Sequence, residues 1–189
     1  MYRNSSSKTH TTYQNKLNAL MVADKNIFST SDLAVLWDIT NKNTLWTTTR
    51  RYVQRGSLYR IRTGLYSKLP TNMLNPFEIG CSLAGPFSYV SLETILAQHG
   101  VIMQQIDKVT LVGVRRSEHI IDGTSYSIRG MADKFLLNRV GVNDDKMFSV
   151  STIERAVADM YYYSPKYYLD NENPIDWDKV KSIKEEVGY

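Results

Sequence analysis

The stretch NTLWTTTRRYVQRGSLYRIRTGLYSK, residues 43–68, changes period half way along. In its first half Leu45, Thr49, Tyr52 and Val53 recur at helical spacing. They predict the inner face of a helix that Asn43 caps and that runs to about Arg55. Gly56 stands where helices commonly close on a left-handed residue. In its second half, Leu58-Tyr59-Arg60-Ile61-Arg62 and Leu65-Tyr66-Ser67-Lys68 are short alternating runs joined by Thr63-Gly64, the pattern of a β-hairpin.

Upstream, Tyr13, Leu17, Leu20 and Met21 predict a helix over Thr9 to Ala23, broken at Asn26. Ile27-Phe28 reads as a short extended link. Ser29-Thr30-Ser31-Asp32 offers an N-cap to a short helix, Asp32 to Trp37, and Asp38 to Lys42 reads as a turn. Met1 to Lys8, polar and Ser-rich, is expected to fray. Three helices followed by a hairpin, within about seventy residues, is the plan of a winged helix-turn-helix, with the third helix for recognition and the hairpin as its wing.

On the third helix Thr47, Arg50, Arg51 and Gln54 fall opposite the apolar face at 100° per residue. Arg pairs with guanine or phosphate, Gln with adenine, and a Thr methyl touches thymine. On the hairpin, strict alternation puts Arg60 and Arg62 on one face and Tyr59 and Ile61 on the other, with Thr63 at the tip. A basic strand face suits phosphate or minor-groove contact, although a charged edge strand also protects against aggregation. Lys42, just before the third helix, is a further phosphate contact. Double-stranded DNA is therefore the expected partner.

The charge distribution agrees. Residues 1–70 carry eleven Lys and Arg against three acids, a net of +8, and residues 71–189 carry twelve against sixteen, a net of −4, which together give the chain's +4. A basic half joined to an acidic one is the footprint of a nucleic-acid-binding module attached to something else. The single cysteine excludes an internal disulfide, and with three scattered histidines it excludes a Cys/His zinc cluster. No apolar run is long enough for a membrane span and the N-terminus has no signal core, so a cytoplasmic location is expected.

The second half, 75–189, reads as an α+β domain with a mostly antiparallel sheet, after a linker over Pro70 to Pro76. Asn75 caps a helix to Ala84 with Pro76 at its first position. Ser91 caps a second, Leu92 to His99. Val109 to Val114 is a strand. Glu118 to Ile121 and Thr124 to Arg129 flank an Asp122-Gly123 turn. Asn138 to Val142 and Lys146 to Val150 flank a turn at Asn143-Asp144-Asp145. Ser151-Thr152-Ile153-Glu154 reads as a capping box opening a helix to Tyr163, and Asp176 to Val187 is a last helix.

No residue stands out as catalytic, and no metal or cofactor is expected. Cys81 reads as a buried small hydrophobe, His99 as a helix-end residue, His10 and His119 as isolated, and Arg155 and Asp159 as a surface ion pair. Ser88 and Ser91 lack the glycines of a nucleophile elbow. A nucleic-acid-processing enzyme would need clustered carboxylates, for which Asp122, Asp144 and Asp145, all in expected turns, are the candidates. The tract Tyr161-Tyr162-Tyr163-Ser164-Pro165-Lys166-Tyr167-Tyr168 suits packing or a protein interface more than stacking on single-stranded nucleic acid.

Asp32-Leu33-Ala34, followed by Arg51 through Tyr66, resembles the opening of AbiEi-type antitoxins of type IV toxin–antitoxin, or abortive-infection, systems. Pro76, Ser88-Tyr89-Val90-Ser91, Leu96, His99-Gly100 and Val101-Ile102 are similar to that family's segment between its two domains. Ser151 through Asp159 is similar to its later "PEKAL-D" helix. The resemblance covers the chain from about Tyr13 to Asp159. It implies a winged helix that binds inverted repeats in the promoter of its own operon and represses it. It also implies a second domain that counteracts a nucleotidyltransferase-like toxin, without needing to bind it. Thr47-Thr48-Thr49 leaves the recognition helix less basic than the resemblance suggests, so no operator sequence is implied. The alternative is a winged-helix regulator whose second domain senses a ligand or dimerises, with no toxin partner.

Overall fold

The structure, a computed structural model, describes residues 5–145 and 147–189. The chain divides into two compact units, Met1–Leu74 and Asn75–Tyr189.

In the first unit, helix α1 spans Ser5–Val22, strand β1 Ile27–Ser29, helix α2 Thr30–Leu36, helix α3 Lys42–Gln54, strand β2 Tyr59–Arg62 and strand β3 Leu65–Ser67. Helix α1 starts four residues before the predicted Thr9, so Ser5 to Lys8 are helical; the rest of the segment expected to fray, Met1 to Asn4, lies outside the described residues. Leu20 is fully buried while Met21, one residue and 100° further round, is exposed.

Helix α2 starts two residues before the predicted Asp32 because Ser29 and Asp32 close a capping box. The Asp32 amide donates to the Ser29 hydroxyl at 3.1 Å and the Ser29 amide to the Asp32 carboxylate at 2.7 Å. Helix α3 is capped by Asn41, not Asn43: the Asn41 side chain accepts from the Thr44 amide at 3.0 Å, which draws Asn43 into the first turn. Its far end meets Gly56 at φ +68°, the left-handed residue expected there.

Leu20, Phe28, Leu33, Trp37, Leu45, Tyr52 and Leu58 form the core of this unit. Tyr52 is central to it. Its ring lies 4.6 Å from that of Tyr13 and 4.8 Å from that of Trp37, and its hydroxyl donates to the Tyr13 carbonyl at 2.7 Å. Trp37 and Lys16 exchange two further bonds, indole to the Lys16 carbonyl at 3.2 Å and ammonium to the Trp37 carbonyl at 2.7 Å. The segment expected to be only a link, β1, is a strand. It pairs antiparallel with β3 and gives a three-stranded sheet in the order β1-β3-β2.

In the second unit, helix α4 spans Pro76–Ala84, strand β4 Tyr89–Val90, helix α5 Glu93–Gln98, strand β5 Lys108–Gly113, strand β6 Ser117–Ile121, strand β7 Thr124–Gly130, helix α6 Asp133–Leu136, strand β8 Val142–Asp144, strand β9 Ser149–Ser151, helix α7 Ile153–Tyr163 and helix α8 Trp177–Val187. The sheet order is β6-β7-β5-β4-β9-β8. The β4–β5, β6–β7 and β8–β9 pairs are antiparallel, and β5–β7 and β4–β9 are parallel. The sheet of this α+β unit is thus mixed, with antiparallel pairs in the majority. The β5–β7 pairing is parallel because the β6–β7 hairpin lays its second strand, not its first, against β5.

Asn75 caps α4 as expected, accepting from the Phe77 amide at 2.8 Å. Ser91 does not cap α5; its hydroxyl donates to Asp159 at 2.8 Å, and the Thr94 amide is taken up by Thr110 of β5 at 2.9 Å. Asn143 and Asp144 form strand β8 rather than a turn. Asp144 is held there by Arg139 and by the Ser149 hydroxyl, and the chain reverses beyond it, where the Asp145 amide donates to Phe148 at 3.1 Å. The predicted box at Ser151 to Glu154 does not form: Thr152 is the cap, one residue later, and accepts from the Arg155 amide at 3.2 Å with no reciprocal side-chain bond.

Helix α7 carries Arg155 on its buried side. Arg155 and Asp159 are each 0% exposed and pair at 2.9 Å, so this is no surface ion pair. The guanidinium also donates to the Asn138 carbonyl at 3.1 Å, to the Val140 carbonyl at 2.8 Å, to the Phe135 carbonyl at 3.3 Å and to the Tyr89 hydroxyl at 2.9 Å. Every guanidinium N–H is thereby satisfied. Asp159 accepts in addition from Ser91 and Tyr189. Burial draws the Arg155 pKa down, but the Asp159 charge, with the ionisable phenol oxygens of Tyr89 and Tyr189, outweighs it and holds the guanidinium above its ordinary value.

Two outcomes are expected. Arg155→Met costs about 3–5 kcal/mol in urea unfolding because it strands a buried carboxylate, and Arg155→Met with Asp159→Leu costs less than Arg155→Met alone. Additive costs would contradict the pairing. In the first unit, burial, with Tyr13 beside it and Arg55 partly opposing, pushes the Tyr52 phenol from 10.0 up to about 12. Its stabilising contribution is therefore complete below pH 10.0 and lost as pH rises to about 12. Unfolding of Tyr52→Phe followed across that range is expected to show a flatter pH dependence than the parent chain.

Candidate nucleic-acid interface

With Leu45, Thr49 and Tyr52 buried on its inner side, α3 turns Thr47, Arg50, Arg51 and Gln54 outward, all exposed. Two more residues join this outer surface. Asn43, freed from capping, falls within the same sector at 100° per residue. Trp46, 63% exposed, carries the Arg50 guanidinium over its ring at 5.6 Å. The sequence signal for Asn43 was present but was absorbed by its reading as a cap. Lys42 is the exposed first residue of the helix.

The hairpin departs from strict alternation. Tyr59 pairs with Ser67 and Arg60 with Tyr66, but Arg62 pairs with Leu65, so Ile61 is the extra residue of a bulge. Arg60 and Arg62 therefore oppose residues on opposite faces of β3, and the expectation that they share one face fails. Both remain exposed, as does Thr63, whose hydroxyl accepts from the Arg60 guanidinium. Gly64 completes the tip at φ +84°, a left-handed conformation that favours glycine. Its carbonyl accepts from the Thr30 amide at 3.0 Å, which ties the tip to the start of α2.

Some cations of this unit are engaged by the fold. Lys16 and Lys68 donate to the Trp37 and Ala23 carbonyls, and Lys25 pairs with Asp32 at 2.7 Å. Burial raises the Asp32 carboxyl, but Lys25 and the amide and hydroxyl of Ser29 hold it below its ordinary value. By contrast, among the described residues no carboxylate lies within ion-pair distance of Lys42, Arg50, Arg51, Arg60 or Arg62. The whole stretch from Ile39 to Phe77 contains no acid. The outward cations of α3 and the hairpin are thus left without internal neutralisation, an arrangement that attracts a polyanion.

The carboxylates that a nucleic-acid-processing site would need are not brought together in the second unit. Asp122 sits in the β6–β7 turn and Asp144 on β8, at opposite edges of the sheet, so the three candidate carboxylates form no single cluster. Among the described residues no group of three or more His, Cys, Asp or Glu is placed to hold a metal ion. Cys81 is only partly covered rather than fully buried. Burial pushes its thiol up, and its Sγ donates to the Ser149 carbonyl at 3.7 Å. His99 occupies the end of α5, as expected. No helix among the described residues is long and apolar enough to cross a membrane.

No family model matches the chain, and no curated protein matches it. It is similar in fold to a crystallised protein of Mycobacterium tuberculosis, Rv2827c, with a TM-score of 0.52 and 11% identity, over 93% of this chain and 71% of that one. At that identity the likeness bears on the fold alone.

Tethering of the hairpin tip gives a direct test of this geometry. Gly64→Val places a β-branched side chain at φ +84° beside Thr30 and is expected to destabilise the first unit by about 1–3 kcal/mol in denaturant unfolding. An unchanged midpoint would mean that the tip is not held in this conformation.

Proposed function

We propose that the first unit is a winged helix-turn-helix that binds double-stranded DNA, with α3 as the recognition helix and the β2–β3 hairpin as the wing. The observation that carries this reading is the acid-free outer face of α3, whose cations have no carboxylate partner among the described residues. The order of elements, three helices with a strand before the second, closed by a hairpin in a sheet ordered β1-β3-β2, supports it. In this reading Arg50, Arg51 and Gln54 approach bases or phosphates in the major groove and Thr47 a thymine methyl. Lys42, Arg60, Arg62 and Thr63 grip the backbone alongside. Because the bulge sets Arg60 and Arg62 on different faces, the wing holds phosphates at more than one angle rather than presenting a flat basic strip.

The resemblance to AbiEi-type antitoxins supplies the biological setting: a cytoplasmic repressor of its own operon that reads inverted repeats. Its second unit counteracts a nucleotidyltransferase-like toxin, with no catalysis, metal or cofactor of its own. Regulation by DNA binding is favoured over nucleic-acid processing because the candidate carboxylates lie at opposite sheet edges.

A gel-shift titration with the DNA upstream of the gene, at two salt concentrations and against a scrambled duplex, tests the proposal. Selective binding is expected, with log affinity falling against log salt at a slope of roughly −5 if about six phosphates are neutralised. Arg50→Ala is expected to cost about 1–3 kcal/mol and relax sequence preference, and Arg62→Ala to weaken all duplexes alike. If both variants bind as the parent does, the docking is wrong. If the upstream DNA is not preferred over the scrambled duplex, the autoregulatory role is wrong.

A further inference from the structure

The aromatic tract beginning at Tyr161 divides in two. Its first part is absorbed by packing: Tyr162 meets Phe135 and Tyr189 edge-on or tilted, and the Tyr163 hydroxyl donates to the Gly130 carbonyl at 3.0 Å. The second part is not. Lys166 and Tyr168, in the segment after α7, face a groove of about 930 Å³ whose other wall is α8. Along α8, Trp177, Lys181 and Lys184 recur at spacings of four and three residues and so share one stripe, while Val180, Ile183 and Val187 fill the buried side. Trp177 lies roughly parallel to Tyr161, with ring centres 6.3 Å apart and planes at 26°.

Two features separate this groove from an ordinary packing defect. Its aromatic rings are open to solvent: Tyr168 is 78% exposed and Trp177 41%. Its charge also runs against its surroundings. Residues 75–189 carry twelve Lys and Arg against sixteen acids, yet the groove is lined by Lys166, Lys181 and Lys184 against Glu185 alone, a local +2 in a unit of −4. Among the described residues none of these three lysines is engaged in an ion pair. Exposed aromatic faces interleaved with free ammonium groups are what a stacked base and its phosphate require, and they read sequence weakly because every base has a π-face. A volume near the upper end for small-ligand sites leaves room for more than one nucleotide.

We infer that the α7–α8 groove binds a short run of single-stranded nucleic acid, with bases stacked against Trp177 and Tyr168 and phosphates held by Lys166, Lys181 and Lys184. The site is separate from the duplex-binding face proposed for the first unit, and neither depends on the other.

The test is fluorescence anisotropy of a labelled hexauridylate titrated with the full chain, with the duplex measured in parallel. Saturable binding is expected. Tyr168→Ala should weaken it about tenfold, and Lys181→Glu with Lys184→Glu should abolish it, with duplex affinity unchanged in both. Tyr168 is exposed enough that its truncation leaves folding intact, which a denaturation curve checks. Arg50→Ala and Arg62→Ala should leave hexauridylate binding unaltered. The inference is overturned if the groove variants bind hexauridylate like the parent, if only the first-unit variants lose it, or if the parent does not bind. It is equally overturned if uridine monophosphate alone binds as tightly as the hexamer, or if polyglutamate displaces the hexamer as well as unlabelled RNA does, which would make the occupant a free nucleotide or an acidic protein.

Discussion

Tyr52 determines how the third helix is rolled. Its ring lies against Tyr13 and Trp37 and its hydroxyl against the Tyr13 carbonyl, so α1, the end of α2 and α3 meet on one side chain. Its own carbonyl accepts from the Ser57 and Leu58 amides, which sets the exit of the chain towards β2. With 100° between successive residues, fixing Tyr52 inward leaves little freedom to the rest of the helix. A roll of one residue would bury Arg51 and expose Leu45. The exposed basic face is a consequence of how an aromatic residue is packed beneath it.

The second unit depends on a polar contact instead. Arg155 joins α7 to the carbonyls of Phe135, Asn138 and Val140 and to β4 through Tyr89, while Asp159 reaches Ser91 and the C-terminal Tyr189. A wholly buried ion pair is a poor source of stability compared with apolar packing, because both charges lose water. What it provides is geometric definition. A guanidinium with five fixed donors accepts one arrangement of its neighbours, whereas an apolar residue tolerates several.

Local signals in the sequence were readable where chemistry and structure coincide within a few residues. The period change near Gly56, the Asn75-Pro76 helix start and the Asp122-Gly123 turn each depend on neighbours in the chain. The misreadings share a different origin. Asn43, Ser91 and Ser151 are all good capping residues, but another residue or another partner took each role: Asn41 caps α3, Asp159 claims Ser91, and Thr152 caps α7. The parallel β5–β7 pairing and the burial of Arg155 likewise depend on residues distant in sequence. In the candidate interface, the exposed residues were legible from helical period alone. The bulge at Ile61 was not, since it depends on how β2 registers against β3.

The bond between the Thr30 amide and the Gly64 carbonyl has a thermodynamic side. Together with the pairing of β1 to β3, it anchors the hairpin along one strand and at its tip, so the hairpin is no free arm. Loops that must become ordered on meeting a partner lose conformational entropy, and affinity falls accordingly. Here that ordering has already taken place during folding, and the cations at the tip stand on a surface whose backbone is largely preorganised.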